Sequence, residues 1–403
     1  MSVLRTFARA LPDPADLAVR VAAYVPELHS VRRDLHAHPE LSWVEVRTTR
    51  VLHERLTAAG LRPEVLPTGT GLMCDVGEGD RVIGLRADID ALPIVDSKQV
   101  SYASQSPGIC HACGHDVHAA VVLGAGLVLS DLAQAEQLPT RVRLIFQPAE
   151  ESARSGAHAV IDAGGLDDVD RIYAVHCDPR TTVGQVGLRS GPITASADQL
   201  RVRLSGHGGH TARPHLTQDV IYALGRVVTE LPGALSRRVD PRASLSVVWG
   251  RIAAGQAANA IPEVGDVEGT LRCLDASVWA ETPTLVEELV HAIVSPYGVQ
   301  VDIDYVRNVP PVDNEESSVE LLAAAVSLTE GSEALTGTEQ SLGGEDFAWY
   351  LSSVPGALAR LGVRSPDEIG QRDLHQGSFD ADEAAIPTGV RVLVAAALLS
   401  MSG

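Results

Sequence analysis

Arg141-Val-Arg-Leu-Ile-Phe-Gln147 runs directly into Pro148-Ala149-Glu150-Glu151, a strand-like apolar run that ends in two adjacent carboxylates. Short apolar runs bounded by breakers read as buried strands. An isolated Glu-Glu pair is ordinary solvated surface. At the end of a buried strand, one carboxylate can bind a cation while its neighbour stands free as a base. Two further predicted strands end in the same kind of chemistry: Arg81–Ala87 leads to Asp88 and Asp90, and Arg171–Val175 leads to His176. In open α/β sheets ligands collect outside the carboxyl ends of strands, so the three endings are expected to converge.

Outward from these strands the pattern alternates. Helices are predicted over Glu27–His36, from Val46 to a stop at Gly60, over Ala119–Leu132 and near Ala157–Ala163, with a strand at Gly71–Val76. This is α/β order. Gly191-Pro192 interrupts it, and strand, helix, two strands, helix and strand follow between Asp198 and Val306. That count suits a small α+β insert at 191–309 with both helices on one sheet face. A helix at Val319–Thr329 and a terminal helix near Asp382–Ser400 return the chain to the first domain, so residues 1–190 and 310–403 form one catalytic domain.

The densest group of reactive side chains is Cys110-His-Ala-Cys113-Gly-His115-Asp116-Val-His118, just ahead of a predicted helix. Thiolate and imidazole favour zinc and related ions, and adjoining carboxylates extend the choice to manganese. A thiol redox pair of Cys110 and Cys113 is the rival reading, but it has no use for His115, Glu151 and His176. A structural zinc site would close its shell with four Cys or His ligands, and here carboxylates stand instead. His29, His53, His158 and His291 lie in unremarkable contexts, and His207-Gly-Gly-His210 sits on a glycine-rich turn of the insert. No Gly-x-Ser-x-Gly elbow, His-Glu-x-x-His pair or phosphate-cradling loop occurs.

Composition narrows the class. With 403 residues, 52 acidic against 32 basic side chains and a formal charge of −20, the chain repels phosphate, which argues against nucleic acid as a partner. Ala119–Leu132 and Val390–Leu399 are shorter than the roughly 18 apolar residues of a membrane span and read as core helices, so no membrane partner is expected. The opening residues 1–10 carry no apolar stretch of secretory length, and five cysteines argue against a disulfide framework, so the expected location is the cytoplasm.

Taken in order, Arg33-Asp-Leu-His-Ala-His-Pro-Glu40, Arg86-Ala-Asp-Ile-Asp-Ala-Leu-Pro93, His111-Ala-Cys-Gly-His-Asp116, Phe146-Gln-Pro-Ala-Glu-Glu151, Ala174-Val-His176, Gly209-His210, Asn259-Ala-Ile-Pro262 and Gly344-Glu-Asp-Phe347 resemble the M20 metallopeptidases, in the amidohydrolase branch of hippurate and auxin-conjugate hydrolases. The resemblance implies a mixed-sheet catalytic domain flanked by helices, of zinc-exopeptidase type, with an inserted α+β lid that in relatives often dimerises. It implies two divalent metal ions per subunit, zinc or manganese with nickel or cobalt as alternatives, held by Cys113 as bridge with His115, Glu151, His176 and His375. By the same resemblance Glu150 is the general base and His210 the oxyanion donor, supplied in dimeric relatives by the neighbouring subunit. Asn259 and Arg272 would grip a substrate carboxylate, and hinges near Gly191 and Asn308 would close the lid. The implied reaction is hydrolysis of a small N-acyl amino acid. The alternatives are a dipeptidase or carboxypeptidase and a noncatalytic metal- or thiol-based binding protein. Most of the wider family has a histidine where Asp88 stands, which leaves Asp88, Asp90 and Asp116 without assigned roles.

Overall fold

The computed structural model describes residues 13–367 and 372–401, so the opening segment from which the cytoplasmic location was read lies outside the described residues. Along the chain come α1 (Pro14–Ala37), α2 (Val46–Ala58), β1 (Glu64–Val65), β2 (Leu72–Val76), β3 (Val82–Asp88), α3 (His115–Gln134), β4 (Arg141–Gln147), α4 (Gly156–Asp162), β5 (Val169–Thr182) and β6 (Val186–Leu188). The chain then builds β7 (Ala197–Ser205), β8 (Gly209–His210), α5 (Val220–Arg238), β9 (Ser246–Ala254), β10 (Ala260–Ile261), β11 (Val264–Arg272), α6 (Ala276–Val294) and β12 (Gln300–Val309). It returns through α7 (Glu316–Thr329), β13 (Leu335–Gly337), β14 (Gly356–Arg364) and α8 (Ala385–Leu399).

Two compact units result: residues 1–191, 314–339 and 349–403, and residues 192–313 with 340–348. The stretch 340–348, which the sequence expectation kept with the catalytic domain, packs in the second unit. There Ser341 exchanges backbone hydrogen bonds with Ile193 and Ala195.

The first unit is built on one eight-stranded sheet of order β1-β2-β4-β3-β5-β14-β6-β13. β3, β4, β5 and β14 run parallel, while β2 meets β4 and β6 meets β14 antiparallel, so the sheet is of mixed direction. Every residue of β3 is buried and β14 is buried on both faces, as parallel strands covered by helices must be. α3 packs against α1 and α8. By length and composition α3 could cross a membrane; 89% of its apolar window is buried inside the protein, which makes it the core helix of this unit. The expectation of a short helix at Ala119–Leu132 gives way to a twenty-residue one because Gly114 starts it early.

Three other expectations change. α1 begins at Pro14 rather than Glu27, with Asp13 capping it by accepting from the Ala15 N–H at 2.9 Å. β5 continues through His176 to Thr182, so His176 is an interior residue of its strand, paired with Arg360 of β14, and not a strand ending. β14 itself, bounded by turns and carrying Gly356 and Gly362, was not recognised as a strand.

In the second unit, β9-β11-β7-β12 form an antiparallel sheet. β7 alternates buried Leu200, Val202 and Leu204 with exposed Gln199, Arg201 and Arg203, and the buried row joins α5 and α6 in one core. β8 and β10 form a separate two-stranded ladder that sets Ala260 opposite His210.

A buried charge group ties α1 to the start of α3. The Arg32 guanidinium, 1% exposed, donates from Nε to Asp116 Oδ2 at 2.8 Å and from Nη2 to Asp380 Oδ1 at 2.7 Å. His36 Nδ1 lies 2.7 Å from the same Asp116 oxygen. Burial opposes the charge on Asp116, yet Arg32 and His36 hold its carboxyl well below the usual range. Breaking such a pair from one side leaves an uncompensated buried charge. Arg32→Met is therefore expected to lower unfolding stability by about 3–5 kcal/mol in chemical denaturation.

Candidate metal centre

Gly114 decides the local geometry. It caps α3 with φ 89°, and a Cβ there would stand 2.7 Å from Cys177 Sγ. Only glycine accepts both the left-handed backbone and the close approach. Cys113 is thereby left on the loop while His115 opens the helix, and the two side chains face one site.

Donor atoms of Cys113, His115 and His176 lie within 4.8 Å of one another, and so do those of Cys113, Glu151 and His375. Cys113 is common to both triads. Its Sγ is 3.6 Å from His176 Nε2. His176 Nδ1 donates to the Cys177 carbonyl at 2.8 Å, which leaves the Nε2 lone pair directed at the thiol. Burial first, then Arg360 and His118, hold the His176 pKa well below its ordinary value, so the ring is neutral. His375 Nε2 stands 3.2 Å from Glu151 Oε1. The His375 backbone, at φ 60°, is tied by its N–H to the Ala112 carbonyl at 2.8 Å.

His115 is fixed from behind. Its Nδ1 donates toward the Asp90 carbonyl at 2.9 Å and Asp90 Oδ1 at 3.2 Å, while its Nε2 has no hydrogen-bond partner among the described residues. Glu151 Oε1 is 3.9 Å from that nitrogen and Glu150 Oε2 is 4.0 Å. Burial opposes a charge on His115, but Asp88, Asp90 and Glu151 outweigh it and push the imidazole up to about 10. The cluster thus draws positive charge to itself, and an orphaned buried imidazole beside a thiol and two carboxylates fits divalent cations.

The three aspartates left without roles prove to be supports. Asp88 accepts from Arg86 Nη1 at 2.6 Å, and its Oδ1 faces His118 Nδ1 at 2.6 Å. His118 Nε2 in turn accepts the Cys177 N–H at 2.8 Å, so the His118 proton is assigned to Nδ1 and neither of its nitrogens is open to a metal. Asp90 receives the Glu150 N–H at 3.1 Å, the Glu151 N–H at 3.0 Å and the Ser42 hydroxyl at 2.6 Å. Asp116 is consumed by Arg32 and His36. Nothing in the spacing of these acids separated supports from ligands; only their partners do.

The remaining expected residues belong to the second unit. His210 Nδ1 accepts the Ala212 N–H at 3.0 Å, which in the neutral ring leaves the proton on Nε2. Asn259 is exposed beside it, its carbonyl accepting the Thr211 N–H at 3.2 Å. Arg272 ends β11, outside that ladder, and its guanidinium donates to the Leu342 carbonyl.

Residues 84–399 match the model of peptidase family M20/M25/M40. An N-acetyl-L-cysteine deacetylase of Bacillus subtilis is 35% identical over 370 residues, covering 91% of this chain and 86% of that protein. The crystal structure of the Bacillus subtilis YxeP protein, a dinuclear metal-binding peptidase of the M20 family, superimposes with a TM-score of 0.82 at 32% identity, covering 94% of this chain and 99% of that one. A Rhodococcus jostii protein named glutamate–cysteine ligase 2-3 is 48% identical over 387 residues; the match takes in 95% of this chain but only 48% of that protein's length. The chain belongs to peptidase family M20/M25/M40. Its mixed-sheet fold is that of the M20 family, membership of which makes it a metal-dependent amidohydrolase, and the two donor triads are candidates to hold two divalent ions.

The sharing of Cys113 and the occupation of both His118 nitrogens give a direct check. By elemental analysis, His118→Asn is expected to retain about two ions per chain, whereas Cys113→Ala should fall well below that number.

Proposed function

We propose that the chain hydrolyses the amide bond of small N-acyl amino acids, releasing a free amino acid and a carboxylic acid. One observation carries this reading: a thiol is common to two donor triads, and the Glu150 carboxylate, next to Glu151 in the chain, lies within 4.8 Å of donor atoms of His115 and Glu151, one from each triad. Cys113, His115 and His176 would hold one ion, and Cys113, Glu151 and His375 the other. Bound there, a pair of divalent ions supplies Lewis acidity and lowers the pKa of water toward about 7. One thiolate, three imidazoles and a carboxylate suit zinc, with manganese, nickel or cobalt as substitutes.

The protein's own groups then divide the work. Glu150 takes a proton from the attacking water and returns it to the leaving amine. His210, with its Nε2–H outward from the Ala212 contact, donates to the developing oxyanion. Asn259 and Arg272 bind the carboxylate of the amino-acid half, a task for which a planar guanidinium is suited. The second unit acts as a lid, closing through hinges near Gly191 and Asn308, and as the contact of a homodimer. Val248 and Ile252, large apolar side chains exposed on β9, support that last role. Five free, buried cysteines support a reducing, cytoplasmic setting.

The name of one relative, an N-acetyl-L-cysteine deacetylase, favours N-acetylcysteine as the substrate, and a glutamyl-cysteine amide is the contrasting dipeptide. The second of these would be dipeptidase action, and a panel holding both compounds separates the readings. Exhaustive chelation should abolish turnover of the whole panel and added zinc or manganese should restore it; full turnover in the chelated protein would refute the assignment. Glu150→Gln should keep its metal and lose about 10²–10⁴ in kcat. His210→Ala should lose about 10²–10³ in kcat with metal content unchanged.

A further inference from the structure

Glu45 occupies the N-cap of α2, yet its side chain makes no capping bond to its own helix. That service comes from Glu40, whose Oε1 accepts the Arg47 N–H at 3.0 Å and whose Oε2 accepts the Thr48 N–H at 2.8 Å. Glu45 turns inward instead and is fully buried. Its Oε1 accepts two backbone N–H groups, from Trp43 at 3.0 Å and from Ala149 at 2.8 Å. Both donors are non-glycine residues in the left-handed region, Trp43 at φ 69° and Ala149 at φ 53°. Such conformations persist only where surrounding contacts over-determine them, and they gather at functional sites. Here a single carboxylate oxygen fastens both.

The same segment grips the far side of the carboxylate pair. Trp43 Nε1 donates to Ser152 Oγ at 3.3 Å, and the Arg154 guanidinium lies 5.4 Å from the Trp43 ring centre. Glu45 therefore holds the residue before Glu150, and Trp43 the residue after Glu151. Between them Asp90, itself bound by Ser42, takes the amides of Glu150 and Glu151. Three consecutive N–H groups, of residues 149, 150 and 151, each end on a buried carboxylate. Glu45 Oε2 has no hydrogen-bond partner among the described residues, and burial pushes this carboxyl up to about 7. The needs of α2 do not explain so costly a placement.

We propose that Glu45, with Trp43, is a positioning residue of the metal centre: by fixing Ala149 and Ser152 it sets the backbone that aims the Glu150 base and the Glu151 ligand, without touching substrate or metal. This deepens the amidohydrolase reading and rests on it for the roles of Glu150 and Glu151.

The test uses the full chain as wild type, Glu45→Met, Glu45→Gln and Trp43→Phe. Zinc affinity is measured by competition with a chromophoric chelator, kcat and KM with the best N-acyl amino acid of the panel, and folding by thermal melting. Glu45→Met, which keeps length but offers no acceptor, should lower both kcat and the affinity of at least one zinc site by on the order of 10–100-fold, with KM nearly unchanged. Glu45→Gln, whose amide oxygen can receive both N–H groups, should restore both quantities. Trp43→Phe, which loses only the Ser152 bond, should shift both in the same direction by less, and it decides the matter should Glu45→Met fail to fold. Wild-type zinc affinity and kcat in folded Glu45→Met would overturn the proposal, as would a Glu45→Gln impaired as badly as Glu45→Met, or a Trp43→Phe indistinguishable from wild type. Loss of melting temperature alone, with affinity and kcat intact, would mean a purely structural role and overturn it too. If the wild type binds zinc and cleaves no amide, the substrate reading fails, while the zinc titration still judges Glu45.

Discussion

A thiol, two carboxylates and three imidazoles cannot be crowded together at low dielectric without a compensating charge. In this protein the donors meet at Cys113, whose sulfur belongs to two sets of them at once. These donors do not satisfy one another: His115 Nε2 has no hydrogen-bond partner among the described residues, and Asp88, Asp90 and Glu151 raise its pKa against the effect of burial. Divalent ions held by these donors would take the place of a proton there and relieve the mutual repulsion of the acids. The placement of α3, the left-handed Gly114 and the strained turn before Glu150 all serve to keep these donors within a few ångströms of each other.

Behind the donors stands a layer of buried acids, each with a backbone or imidazole partner. Asp88 fixes the His118 tautomer, Asp90 holds His115 and the Glu150 and Glu151 amides, and Asp116 locks the first turn of α3 to α1 through Arg32 and His36. Such supports orient the ligands and raise their basicity. They also account for the many carboxylates in the motifs. Asp88, Asp90 and Asp116 bind the protein, while the Glu151 carboxylate lies among the donor triads with Glu150 next to it.

The α/β order of the first unit, the α+β insert and the gathering of Cys113, His115, Glu151 and His176 were legible in the sequence, because thiol, imidazole and carboxylate side chains crowd beside the apolar runs of a buried sheet. His375 came only through resemblance; it sits on a loop at φ 60° with no periodic pattern to announce it. β14 carries no alternation because it is buried on both faces, and glycines at 356 and 362 interrupt its apolar run. The extension of β5 past His176 was hidden by its polar residues, Asp178 and Arg180, which usually mark a strand's end. The aspartates could not be sorted into ligands and supports from spacing, since an acid two residues from another looks the same whether it holds a metal or an N–H. Glu45 had the position of a helix cap, and its actual partner lies 104 residues away.

X-ray absorption at the zinc edge of the fully loaded protein addresses the central claim most directly. The account predicts sulfur scattering at about 2.3 Å from both ions, with the remaining first-sphere scatterers nitrogen or oxygen, and a metal–metal vector at about 3.5–4 Å that disappears in Cys113→Ala. A spectrum with no sulfur in the first sphere, or a metal–metal vector that survives loss of Cys113 unchanged, would contradict it.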